Sequence, residues 1–199
     1  MVSLKDADEE IAFYDHDSNR AVGVMWPAII ENRLTSLLRA AFIKDNERAD
    51  SMLNPSGPLG SFGAKINLAY LMGLYCKEAH QDLLTISKIR NKFAHDVTVK
   101  EFEADAIKSR IQNLDVYRAG KEALAHLEST APSSPDTMER TKLFVMRQEM
   151  ADMRSVFHYA IRMYIHILVD LENRVLGANR AYLSSSDIVP QPTSVESRS

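Results

Sequence analysis

The chain has 199 residues, 45% hydrophobic and 26% charged, a globular composition that excludes fibrous and wholly disordered classes. Its formal charge of -3 gives no overall attraction to phosphate, so direct DNA binding is not expected without a local basic patch. One cysteine cannot close an intrachain bridge, and no run of about 18 apolar residues occurs, so a reducing, cytoplasmic setting without a membrane span is expected.

The acidic segment 1–16 is expected to be a flexible amino terminus. After it, Ile29, Ile30, Leu34, Leu37, Leu38, Ala41 and Phe42 recur at three- and four-residue steps, which predicts an amphipathic helix ending at Asp45-Asn46. Pro27 suits a first turn, or the helix starts near Asp17 or Ser18 and kinks at the proline. Glycines and prolines then cluster from Asn54 to Gly63 and predict an ordered loop. Ile66, Leu68, Ala69, Leu71 and Met72 predict a short buried helix ending near Gly73.

A third helix is predicted from Cys76 to His95, with Leu83, Ile86, Ile89 and Phe93 on its buried stripe and Lys77, Glu78, Asp82 and Lys88 facing elsewhere. A fourth is expected from Val99 with Phe102, Ala106, Ile107 and Ile111, and a fifth from Val116 to Leu127. The Ser/Pro-rich stretch 129–135 reads as a linker. Asp136 and Glu139 have capping-box spacing before a helix expected to exceed 35 residues. Its apolar columns are Leu143, Met150, Phe157, Tyr164 and Leu171, and Met146, Met153, Ala160 and Ile167. A second stripe, including Val156, Ile161, Ile165 and Leu168, leaves two uses open: an internal core helix or an intersubunit one. The tail 184–199 is polar and expected to be disordered. The whole predicts an all-α bundle of five to seven helices with a main domain at 17–128 and a long helix at 136–183 that completes it or forms a homo-oligomer.

Chemical motifs are sparse. Gly57, Gly60 and Gly63 followed by Lys65 lack phosphate-loop spacing, and Pro58 removes an amide, so a structural loop is expected. No histidine has metal-ligand spacing. His158 and His166, eight residues apart, lie about 80 degrees apart around one helix. Cys76 is expected to be a small core residue, and no metal or cofactor is expected. The most specific string is Ile89-Arg-Asn-Lys-Phe-Ala-His95 at a helix end. Arg90 and His95 lie about 140 degrees apart on a continuous helix, so they converge only if the helix unwinds at His95 or two copies face each other. Then Arg90 would stabilise a pentavalent phosphate and His95 would move the proton of a ribose 2'-hydroxyl. Otherwise Arg90, Asn91, Phe93 and His95 are structural, through ion pairing, capping and packing.

Two segments carry a family resemblance. The string from Pro58 through Lys65-Ile-Asn-Leu-Ala-Tyr70 to Leu74, followed by His80 to His95, resembles the mannitol operon repressor family, and Leu37-Leu-Arg-Ala-Ala-Phe42 fits before it. The resemblance covers about 17–115. It implies an all-helical, repressor-type transcriptional regulator without its own DNA-binding motif that acts through a protein partner, and not an enzyme. The Arg90–His95 spacing is also similar to the signature of HEPN domains, which implies the alternative: a metal-independent endoribonuclease using Arg90, His95 and the orienting Asn91, with RNA as partner.

Overall fold

The computed structural model describes residues 3–14, 16–42, 45–130 and 138–184, and the regular structure among them is entirely α-helical. In chain order the helices are α1 (Leu4–Ala12), α2 (Asn19–Ala41), α3 (Asn46–Leu53), α4 (Phe62–Leu71), α5 (Lys77–His95), α6 (Asp105–Gln112), α7 (Asp115–Thr130), α8 (Met138–Glu149) and α9 (Met153–Ser184). No helix among the described residues is long and apolar enough to cross a membrane.

Helix α2 takes the earlier of its two expected starts because the Ser18 hydroxyl accepts from Ala21 N–H, and it runs through Pro27 to Ala41. It forms the centre of the fold, packed by α9, α5, α4 and α1. Trp26, Phe93, Phe102 and Phe157 are essentially excluded from water and form its aromatic core, with Phe93 and Phe102 centroids 4.8 Å apart and Phe102 and Phe157 5.3 Å apart. Helix α4 ends as its sequence suggests. Gly73 adopts φ 72°, its N–H donates to Tyr70 O, and Leu74 N–H donates to Ala69 O, a paired closure that favours glycine at the left-handed position.

Several expectations need correction. The amino-terminal segment expected to be flexible contains α1, which Ser3 caps and Ile11, 1% exposed, anchors against α2 and α9. Asp45 caps the unexpected α3 through Arg48 N–H, and Ala49 and Leu53 bury its inner side. The fourth helix begins at Asp105 rather than Val99, because the Asp96 carboxylate accepts from both Thr98 N–H and its hydroxyl and holds the chain in a turn. Val99 and Phe102 still reach the core, from irregular backbone.

The long carboxy-terminal helix is present as the 32-residue α9, but it starts at Met153, with the separate α8 before it, where one continuous helix was expected. Asp152 accepts from Ser155 N–H and hydroxyl, and Met153 N–H donates to Glu103, so a new helix starts there. Along α9 both apolar stripes merge into one wide buried face that includes Val156, Phe157, Ala160, Ile161, Tyr164, Ile165 and Leu168, while Ile167 is exposed. Cys76 is exposed rather than a core residue, since it occupies the capping position of α5. Residues 131–137, with Asp136 of the expected capping box, and 185–199 of the tail lie outside the described residues.

Asp82 is the largest departure on α5. Expected to face away from the core, it is 2% exposed, and its carboxylate accepts from Asp115 N–H at 2.8 Å, Val116 N–H at 3.0 Å and the Tyr164 hydroxyl at 2.8 Å. It thus supplies the amino-terminal acceptor of α7 from a different helix. Burial, and then the Asp82 charge, push the Tyr164 phenol far above its ordinary pKa, so it stays a donor.

Glu172 on α9 is 8% exposed, and its Oε2 has no hydrogen-bond partner among the described residues. Desolvation raises its pKa, opposed by the charge of Arg33, which is itself paired with Glu10 at 2.6 Å. The native state therefore holds this proton more tightly than the unfolded chain, so the contribution of Glu172 to stability increases as pH falls through its folded pKa and is lost as pH rises through it. Glu172→Gln is expected to raise the thermal midpoint at pH 7, with a gain that shrinks on acidification, as measured by calorimetry across a pH series.

Candidate functional site

The Ile89-to-His95 string divides its side chains among three environments by helical period alone. Ile89 and Phe93, four residues apart, point into the core at 0% exposure. Arg90 lines a cleft of about 1030 Å³. His95 is exposed and lines a separate depression of about 590 Å³ with Lys88, Lys92 and Arg110. Asn91 lies between and borders both, accepting from Arg90 Nη1 at 3.0 Å. Helix α5 continues through His95, so the unwinding that would bring Arg90 and His95 together within one chain does not occur.

The helix end is closed by residues outside the string. Arg20 of α2 donates to Asp96 O at 3.2 Å and Ala94 O at 3.3 Å, placing a cation on the terminal carbonyls of α5. Asp96, held by Thr98 and then by Lys92, has its pKa lowered to about 2. The depression beside His95 therefore keeps one carboxylate ionised among its cations. No signal in one sequence identifies Arg20 as this partner, because the contact spans more than seventy residues.

The larger cleft is bounded by α2, α3 and the loop after it, the start of α4 and the middle of α5. Its two carboxylates are both paired: Glu31 receives Lys65 Nζ at 3.2 Å, and Asp50 receives Arg39. Lys65 is 6% exposed, so this pair is held largely out of water. Arg90 is different. Among the described residues it has no carboxylate partner, and its buried Nε has no acceptor.

The glycine-rich loop forms one wall of this cleft as a structural turn. A side chain at Gly57 would meet Ser51 O at 2.4 Å, and one at Gly60 would meet Asn54 O at 2.4 Å. The amides of Gly57, Leu59 and Gly60 donate to Asn54, Met52 and Gly57 carbonyls, so they are committed within the loop. His158 and His166 also separate: the His158 ring lies tilted 5.0 Å from the Trp26 ring, and His166 pairs with Asp8 at 2.8 Å. No group of three or more potential metal-ligating side chains occurs among the described residues.

Comparison with known proteins gives a coherent set. The family model described as mannitol repressor matches residues 14–169. Among solved structures, the fold is similar to a "possible transcriptional regulator", YggD from Shigella flexneri, with TM-score 0.58 and 15% identity, covering 84% of this chain and 98% of that one. It is also similar to a chain of the MtlR–HPr complex from Escherichia coli, with TM-score 0.52 and 16% identity, covering 85% of this chain and 97% of that one. No curated protein matches the chain.

Proposed function

From the premise that this chain belongs to the mannitol repressor family, matched over residues 14–169, we propose that it is a repressor-type regulator of transcription that works by binding a protein partner. The observation that carries this reading is the similarity to the protein of the MtlR–HPr complex, over 97% of that chain. An HPr-type protein is accordingly the partner proposed here. The charge of -3 supports an indirect route to the promoter, since it supplies no long-range attraction to DNA. The cations at the α5 end are too few and too close to Asp96 to make a recognition surface of clustered Arg and Lys. Repression through a partner, without a DNA-binding motif of its own, is the finer part of this proposal.

Titration calorimetry of the full chain with the host's HPr is expected to give a saturable complex, and gel shifts with the regulated promoter are expected to need the partner. Absence of any complex at about 0.1 mM of each protein overturns the partner, because affinity weaker than that has little regulatory use. Direct, strongly salt-dependent promoter binding by the chain alone overturns the indirect route. Incubation with mixed RNA in the absence of metal is expected to leave the RNA intact. Cleavage lost in a folded His95→Ala variant would instead favour the ribonuclease reading, with Arg90 and Asn91 beside it.

A further inference from the structure

The large cleft carries a chemistry that protein partnership does not use. Most of the residues that line it carry polar or charged side chains, and its volume of about 1030 Å³ is at the upper end of small-molecule sites. Three cations face two carboxylates there, and both carboxylates are already paired, Glu31 with Lys65 and Asp50 with Arg39. The surplus is therefore localised on Arg90. That guanidinium spends Nη1 on the neutral Asn91 amide and keeps Nε out of water with no acceptor. A buried donor left unmade costs free energy, and a planar fork of donors matches the paired oxygens of a phosphate or carboxylate.

The rest of the lining names the remainder of the ligand. Asn32 and Thr35 on α2, Ser51 on α3, Ser61 at the start of α4 and Ser87 on α5 surround the cleft with amides and hydroxyls. Thr35 and Ser51 give their hydroxyl protons to Glu31 O and Arg48 O and keep oxygens that accept, Ser61 accepts from Ala64 N–H and keeps its proton, and the Asn32 amide works in both senses, a mixture that suits a molecule carrying many hydroxyls. Gly63 in the first turn of α4 has open space where a side chain would be, so backbone is accessible on that wall. The buried Lys65–Glu31 pair fixes one wall without consuming Arg90, so that part of the site is ordered before a ligand arrives.

We propose that this cleft binds a small polyhydroxylated oxyanion, a polyol or sugar acid bearing one phosphate or carboxylate, with Arg90 holding the anionic group and Asn32 contacting hydroxyls. The site is independent of the HPr proposal, since the ligand is tested on the isolated chain. Phosphate and carboxylate share the required chemistry, and the probes separate them.

Titration calorimetry of the full chain with glucitol 6-phosphate, gluconate, glucitol and inorganic phosphate reads the site directly. At least one of the two polyhydroxylated anions is expected to bind about tenfold or more tightly than either glucitol or phosphate alone. Arg90→Gln is expected to weaken that binding about tenfold or more, and Asn32→Ala several-fold. Asn32 is exposed, so its variant folds even where Arg90→Gln does not. Lys92→Ala, outside the cleft, leaves the affinity unchanged. Silence with both polyhydroxylated anions at millimolar concentration overturns the proposal, as does equal binding of inorganic phosphate alone. Unaltered affinity in folded Arg90→Gln or in Asn32→Ala overturns the assignment to this cleft.

Discussion

Replacing Asp82 by alanine is expected to lower the unfolding free energy by about 3 kcal/mol, a fall in thermal midpoint of about 6–12 °C for a chain of this size. The substitution strips an acceptor from three donors at once: the half-buried amides of Asp115 and Val116 and the buried hydroxyl of Tyr164. Two of these are unmatched donors at the start of α7, whose helical field also favours a negative charge there. Tyr164→Phe removes only one bond and its donor together, so its cost is expected to be about 1 kcal/mol. The double variant should cost less than the sum, because the tyrosine has no partner to lose once Asp82 is gone. Chemical denaturation of the four proteins of this cycle checks it. An additive result would mean that the carboxylate and the phenol act separately. Asp82→Asn, which keeps one acceptor oxygen but brings a donor to the other side, is expected to fall between wild type and alanine.

The second large effect lies where α2 crosses α5. A methyl group at Gly23 would stand 2.3 Å from Cδ2 of Phe93, inside contact distance of a ring that is itself 0% exposed and packed on Phe102. Gly23→Ala is therefore expected to destabilise by about 2–3 kcal/mol through overpacking, despite alanine's better helical propensity. Shrinking the ring relieves the clash, so Gly23→Ala with Phe93→Leu should cost less than the two single changes added. Equilibrium urea unfolding measures this, and a Gly23→Ala protein as stable as wild type would show that the helices separate freely. His95→Ala, on the exposed side of the same string, is expected to change stability by no more than about 0.5 kcal/mol. The contrast separates the packing role of Phe93 from whatever its polar neighbours do.

These cases show how much was legible in the chain and why the remainder was not. The buried stripe of α5, the loop at 54–61 and the glycine at the end of α4 follow from local rules: period, cluster and positive φ. Helix α3 escaped because only Ala49 and Leu53 of its eight residues are buried, too few to show a period. The break before α9 escaped for another reason. Heptad positions on both sides of Asp152 stay in register, so the apolar pattern outweighs a cap whose second acceptor, Glu103, is fifty residues away. Asp82 looked like a solvent-facing charge because nothing local shows that another helix begins beside it.

The cleft is legible only in three dimensions. Lys65 stood in the sequence next to glycines that are committed to a turn, and Arg90 stood next to a histidine that faces another depression. Sequence alone determined the all-helical class and which face of α5 is apolar, because these depend on residue type and on spacing of three or four positions, while the strings from Pro58 to His95 carried the resemblance to the family. Tertiary structure decided which charges are neutralised and which are left over. Glu31 meets Lys65 and Arg39 meets Asp50 only when α2, α3 and α4 pack, and the unmatched charge of Arg90 emerges from that pairing across helices.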